Sequence, residues 1–178
     1  MIKIQVILGT TRQGRFSEKP GKWIFEELQK RGSIGAELVD LRDYDMPFFN
    51  EEMSPYAMEM AGKEYVNGAV KKWTDKVAEA DGFIIVTGEY NHGYPAVLKN
   101  ALDWVSKQWR SKPVGFVSYG GAGGARVIEQ LRQVVIELGM IPIKVALSVP
   151  FQFAPVDPEK FLAQLISFAE VMKPLREK

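Results

Sequence analysis

Short apolar runs, each separated from the next by a stretch with helical spacing, constrain this chain more than any other feature of its sequence. IKIQVIL (residues 2–8), AELVDL (36–41), GFIIV (82–86), PVGFVSY (113–119) and IPIKVALSV (141–149) are rich in Val and Ile and mostly lack strict alternation. Strands of that kind are covered on both faces. Repeated strand–helix units imply a parallel sheet with right-handed crossovers. The expected fold is α/β, a three-layer sandwich around a five-stranded parallel sheet in the order 2-1-3-4-5.

The helical segments carry their own punctuation. Val66, Val70, Trp73, Val77 and Ala80 share one face, as do Leu98, Ala101, Leu102 and Val105 in the next helix. Ile128, Leu131, Val135 and Leu138 repeat the spacing, and Gly139 is placed to end that helix. The last helix opens with Asp157 as N-cap and Pro158 in its first turn, and turns Phe161, Leu165, Phe168 and Met172 inward. The first is less regular: Ser17 is a candidate cap, Pro20 and Gly21 follow at once, and Ile24 and Leu28 mark the buried side.

No linker, repeat or low-complexity tract divides the 178 residues, so a single domain spanning 1–178 is expected. A formal net charge of +1 gives no electrostatic reason to expect nucleic acid or an anionic membrane. The absence of Cys excludes disulfides and thiol catalysis, and one His makes a zinc site improbable. The opening MIKIQVILG is too short for a signal h-region or a membrane span, and a cytoplasmic protein is expected.

In open α/β sheets ligands bind beyond the carboxyl ends of the strands, where strand order reverses. That reversal makes neighbours of the loops after the first, third and fourth strands, and these are the unusual loops here. GTTRQGRFS (9–17) gathers Thr10, Thr11 and Ser17 hydroxyls with Arg12 and Arg15 ahead of a helix N-terminus, a setting for an anion or for a plain polar turn. It lacks the Gly-Lys-Ser/Thr ending of a Walker loop. SYGGAGGAR (118–126) lets a flat group approach its glycines, or is a flexible turn; Arg126 breaks the dinucleotide fingerprint. Between them, GEYNHGYP (88–95) leaves a buried strand through Glu89, Tyr90, Asn91 and His92. A ligand with a phosphate at one end and a planar heterocycle at the other suits the set, with Tyr90 as one wall. Glu89 reads as a structural acceptor of N–H groups, and His92 either donates near the ring or faces water.

These residues resemble the NAD(P)H-dependent FMN reductases of the flavodoxin superfamily, which include quinone, azo-dye and chromate reductases. The family's Gly-Ser-x-Arg loop is matched by GTTRQGRFS with Thr10 for Ser. Its Pro-Glu-Tyr-Asn and Leu-Lys-Asn-x-x-Asp-Trp motifs are matched by GEYNHGYPAVLKNALDW with Gly88 for Pro, and its glycine loop by SYGGAGGARVIEQLR. The resemblance implies a flavodoxin-like fold and FMN as cofactor. Thr10, Arg12, Phe16 and Ser17 would hold the phosphate; Glu89, Tyr90, Asn91 and His92 would border the ring; Ser118, Gly120 and Gly121 would meet its far edge. It implies NADPH or NADH as electron donor, a small-molecule quinone, azo or flavin-type acceptor, and no catalytic side chain, since the flavin performs the chemistry.

A flavodoxin-type electron carrier without substrate turnover is the rival reading, although flavodoxins are typically acidic and this chain is near neutral. A regulatory module without cofactor is a further one. The segment 42–65 carries Met46, Phe48, Phe49, Met53, Tyr56, Met58 and Met60, more apolar surface than a loop leaves wet. It implies a homodimer or homotetramer, or a loop folded back over its own sheet edge.

Overall fold

A computed structural model describes residues 1–176. Strands β1 (Ile2–Leu8), β2 (Ile34–Asp40), β3 (Gly82–Gly88) and β4 (Pro113–Tyr119) form the parallel core of a sheet ordered β2-β1-β3-β4-β5, as the strand–helix alternation implies. The expected last strand is divided into β5 (Ile141–Pro142) and β6 (Leu147–Val149), both paired with β4. Pro142 has no N–H for a ladder. Arg132 then donates to the carbonyls of Ile143 and Lys144, both at 2.8 Å, and Gln164 accepts from the Val145 N–H at 3.1 Å. Side chains thus satisfy the backbone across the break.

Among the described residues six α-helices accompany the sheet: α1 (Glu18–Gln29), α2 (Pro55–Met60), α3 (Gly68–Ala78), α4 (Ala96–Asp103), α5 (Ala125–Glu137) and α6 (Glu159–Arg176). One core layer packs Trp73, Leu102, Trp109 and Leu131 from the α3–α5 side against Phe83 and Phe116; the other packs Ile24, Leu28, Phe161 and Leu165 from α1 and α6 against Ile4, Ile84 and Val117. Burying both faces of a sheet is what its continuous apolar strands require.

Three helix expectations shift. Val66 is 98% exposed because Asn67 caps α3, its side chain accepting from the N–H groups of Ala69 at 2.9 Å and Val70 at 3.1 Å. Ser17 makes no side-chain cap bond. In α6 the buried row is Phe161, Leu162, Leu165 and Ala169, which leaves Phe168 exposed and Met172 half-buried; Asp157 does accept from the Glu159 N–H at 3.0 Å.

The segment 42–65 folds partly inward. Phe49 and Tyr65 lie 4.8 and 5.3 Å from Trp104, whose indole N–H donates to the Pro47 carbonyl at 2.9 Å, and Met58 is buried. Phe48, Tyr56 and Met60 stay exposed.

Candidate functional site

The first loop is fastened from the side of β2. Arg15, buried, forms a forked ion pair with Asp40 and donates to the Thr10 carbonyl. Arg42 donates to the carbonyls of Thr11 at 3.2 Å and Arg12 at 2.6 Å and to Glu18 at 2.9 Å. Burial raises the Asp40 carboxyl, but the Arg15 hydrogen bonds outweigh it and hold the group below its ordinary value. Two guanidinium groups therefore turn three successive carbonyls toward β2. Arg15 and Arg42 shape the loop, and Arg12, exposed, forms no ion pair among the described residues.

Thr10 and Ser17 are fully buried, their hydroxyls 2.7 Å apart. In front of them stands an aromatic wall. The Phe16 ring is 4.8 Å from Tyr119 and 6.0 Å from Phe151, and Phe153 lies 6.5 Å from Phe16 and 6.2 Å from Trp23.

After β3 the chain makes a tight reversal. The backbones of Tyr90 and Gly93 exchange hydrogen bonds at 2.9 and 3.0 Å, with Asn91 (φ 48°) and His92 (φ 68°) at the tip. Positive φ at both tip residues is the demand of a type I′ turn, and Asn and His are among the non-glycine residues that meet it most readily. The turn projects Tyr90 outward. Glu89 turns back, its side chain 5% exposed, to accept from Arg126 Nε at 2.7 Å. The Arg126 contact outweighs burial and lowers the Glu89 carboxyl from its ordinary value, while its second oxygen is buried without a hydrogen-bond partner.

The glycine loop after β4 is braced by two serines, Ser118 and Ser148, each donating to the Gly123 carbonyl at 2.8 Å. Gly120 has φ 153°, and a Cβ there would stand 3.3 Å from that of Glu89. No L side chain adopts that backbone comfortably. At Gly121 a Cβ would meet open space.

Between these loops lies a cleft of about 410 Å³, within the range of small-molecule sites, lined by Arg12, Phe16, Gly88, Glu89, Tyr90, Asn91, Tyr119, Gly120 and Phe151. Of the residues the sequence singled out, it joins Arg12, Phe16, Glu89, Tyr90, Asn91 and Gly120. Thr10 and Ser17 lie buried outside its lining. His92 is an exposed turn residue whose carbonyl accepts from Gln130 at 2.9 Å; Ser118 is engaged with Gly123, and Gly121 faces outward. Tyr119 and Phe151 were not singled out. Tyr119 carried a signal, an aromatic at the last position of a buried strand, whereas Phe151 reaches the cleft only through the fold. A larger hollow, about 520 Å³, lies beside the carboxyl ends of α4 and α5, away from the switch point, and its Arg110 is already paired with Glu59 at 2.7 Å.

The donor set fits a flavin mononucleotide: an unpaired guanidinium at one end, an aromatic wall, and a glycine backbone held open at the other. The sequence profile of the NADPH-dependent FMN reductases matches residues 2–154. An NAD(P)H-dependent FMN reductase of Schizosaccharomyces pombe is 38% identical over 155 residues, covering 87% of this chain and 74% of the relative. A quinone reductase of Escherichia coli is 32% identical over 146 residues, covering 76% and 71%. Among solved structures, a flavoenzyme NAD(P)H:(acceptor) oxidoreductase of Paracoccus denitrificans matches the fold with a TM-score of 0.70 at 21% identity, covering 98% of each chain.

Proposed function

This chain belongs to the NADPH-dependent FMN reductase family, and from that premise we propose that the cleft between Arg12 and Gly120 is its flavin site. The protein is a flavin-dependent NAD(P)H oxidoreductase with FMN as cofactor. The observation that carries the placement is the pairing, in one cleft, of an unpaired cation at the first loop with a side-chain-free backbone at Gly120.

FMN, when bound, would supply the two-electron redox chemistry between the nicotinamide donor and a second substrate. The chain's own residues bind and orient. Arg12 neutralises the phosphate at the α1 N-terminus, where the helix dipole also favours an anion. The buried Thr10–Ser17 pair and Phe16 frame that end. Tyr90 and Asn91 border the ring, and Gly120 offers a backbone that a flat edge can approach. Glu89 acts on the ring through the loop it anchors to Arg126. Ser118, Gly121 and His92 act by shaping their loops.

The acceptor we assign is a quinone, an azo compound or a free flavin, with NADPH or NADH as donor. The alternative of an electron carrier without turnover is not favoured, because the family and the curated relatives are reductases. We also infer a homodimer or homotetramer, supported by Phe48, Tyr56 and Met60, which the inward packing of segment 42–65 leaves exposed. No helix among the described residues is long and apolar enough to cross a membrane. A cytoplasmic setting is part of the same proposal, since the NAD(P)H that such a reductase uses is supplied there.

Anaerobic mixing of the flavin-loaded protein with NADPH and with NADH tests this reading. The flavin absorbance should bleach with at least one donor and recover when a quinone is added. A flavin that neither donor reduces would contradict the enzyme.

A further inference from the structure

Parallel pairing of β3 with β4 sets Gly88 directly beside Tyr119. A Cβ at Gly88 would come within 2.7 Å of Tyr119 Cε2 and 3.1 Å of its hydroxyl oxygen. The tyrosine ring therefore fills the volume that any side chain at position 88 would take. The absence of a side chain at Gly88 is what admits the ring at the end of the strand.

The ring is held from several sides. Phe16 tilts against it at 4.8 Å, the residue is only 5% exposed, and it lines the cleft on the side of the first loop. Its hydroxyl lies over Gly88, on the side of the first loop that carries Phe16, Thr10 and Ser17. Burial raises the phenol above its ordinary value of 10.0 and the Thr10 and Ser17 hydroxyls only partly offset this, so at neutral pH it keeps its proton and can donate. Thr10 and Ser17 are themselves fully buried, bonded to each other at 2.7 Å, and neither lines the cleft, whereas Tyr119 does.

We propose that Tyr119, seated in the space left by Gly88, presents the hydroxyl that reads the cofactor's phosphate opposite Arg12, with the buried Thr10–Ser17 pair behind it as its support. This rests on FMN occupying the cleft. Tyr119 donates its O–H to a phosphate oxygen, and Arg12 supplies the charge. Gly88 and the Thr10–Ser17 pair are positioning groups, acting through the phenol.

The test is equilibrium binding of FMN and of riboflavin, which lacks the phosphate, to the flavin-free protein. The ratio of the two dissociation constants isolates the phosphate contribution from ring packing. Tyr119→Phe keeps the ring and should reduce that ratio about tenfold or more, the scale of one hydrogen bond to a charged group. Gly88→Ala should reduce it similarly by displacing the ring, and the double variant should lose little beyond Tyr119→Phe alone. An unchanged ratio in Tyr119→Phe beside a collapsed ratio in Ser17→Ala would overturn the proposal, because the buried hydroxyls would then meet the phosphate themselves. Additive losses in the double variant would overturn the role of Gly88. If the wild-type chain binds FMN and riboflavin equally, the phosphate is not read in this cleft, and the flavin placement itself fails.

Discussion

At the amino ends of the strands, Asp81 accepts from the Lys3 N–H at 2.9 Å, from Lys173 at 2.9 Å and from Arg176 at 2.7 Å. At the carboxyl ends, Arg12 borders the cleft without an ion-pair partner among the described residues, and one oxygen of Glu89 is buried with nothing to accept from. Both ends are charged, but only one is saturated. The contrast recurs within the first loop, where Arg15 is fixed between Asp40 and Glu18 while Arg12, in the same loop, is not. Charge that is fully paired ties elements together; charge left with free valence at a concave surface is available to a ligand.

The largest effect should come from breaking the saturated end. Asp81→Ala leaves Lys173 and Arg176 without their shared carboxylate and should cost about 2–3 kcal/mol of stability, less than a fully buried pair because Lys173 still meets water. The thermal midpoint should fall by roughly 5–10 °C, while FMN affinity is unchanged. Acid separates the same group from the cleft. Burial raises the Asp81 carboxyl, but its Lys3 and Lys173 hydrogen bonds and its two cations hold it below the ordinary 3.8. Its stabilisation is complete above that value and is lost as pH falls through the depressed one. An unfolding series from pH 5 to pH 2 should therefore show a steeper loss in the wild type than in Asp81→Ala.

Next in size is the unsaturated end. Arg12→Ala should weaken FMN binding by about 1.5–3 kcal/mol, the range of a charge-assisted contact, with almost no change in stability. Flavin titration of the apoprotein reads this directly. Equal affinity in the variant would remove Arg12 from the site.

The glycine loop sharpens the comparison at a smaller scale. Gly120→Ala forces an L side chain into a backbone with φ 153° and toward Glu89, and should cost about 1–2 kcal/mol in stability as well as lowering flavin content. Gly121→Ala meets open space and should change stability by less than about 0.5 kcal/mol. Equal effects at both positions would mean that the loop works by flexibility alone.

A pH-dependent effect, separate from both ends, belongs to Lys112, whose Nζ donates to the Val77 carbonyl at 2.9 Å at the end of α3. Burial, helped by the charge of Arg176, lowers this amine from 10.5 to about 8. Between those values the unfolded chain holds a proton that the folded chain has shed, so stability should rise as pH climbs through that window. The difference between wild type and Lys112→Met, measured by denaturant unfolding at pH 7.5 and pH 10, should show the rise. A flat difference would mean that the amine keeps its ordinary affinity for protons.

Sequence revealed the sheet because both faces are buried, and continuous Val and Ile runs record that directly. It did not reveal the break between β5 and β6, because that depends on Arg132 and Gln164 reaching across from neighbouring helices. Arg12, Tyr90 and Gly120 were legible because residue type and position after a strand are local properties. Whether a loop arginine is free or paired is not local: Arg15 and Arg12 look alike until Asp40 arrives from β2. Tyr119 was missed for the same reason, since its partner Gly88 is brought beside it only by strand register. His92, the one histidine, sits exposed at the tip of the turn after β3, where its residue type alone does not decide between the ring and water.

A crystal structure of the protein with FMN tests the central claim most directly. The account predicts the phosphate within hydrogen-bond distance of Arg12, the ring beside Tyr90, and its far edge on the Gly120 backbone. A flavin seated instead in the hollow beside Tyr56 and Arg110, or with its phosphate directed away from the first loop, would contradict it.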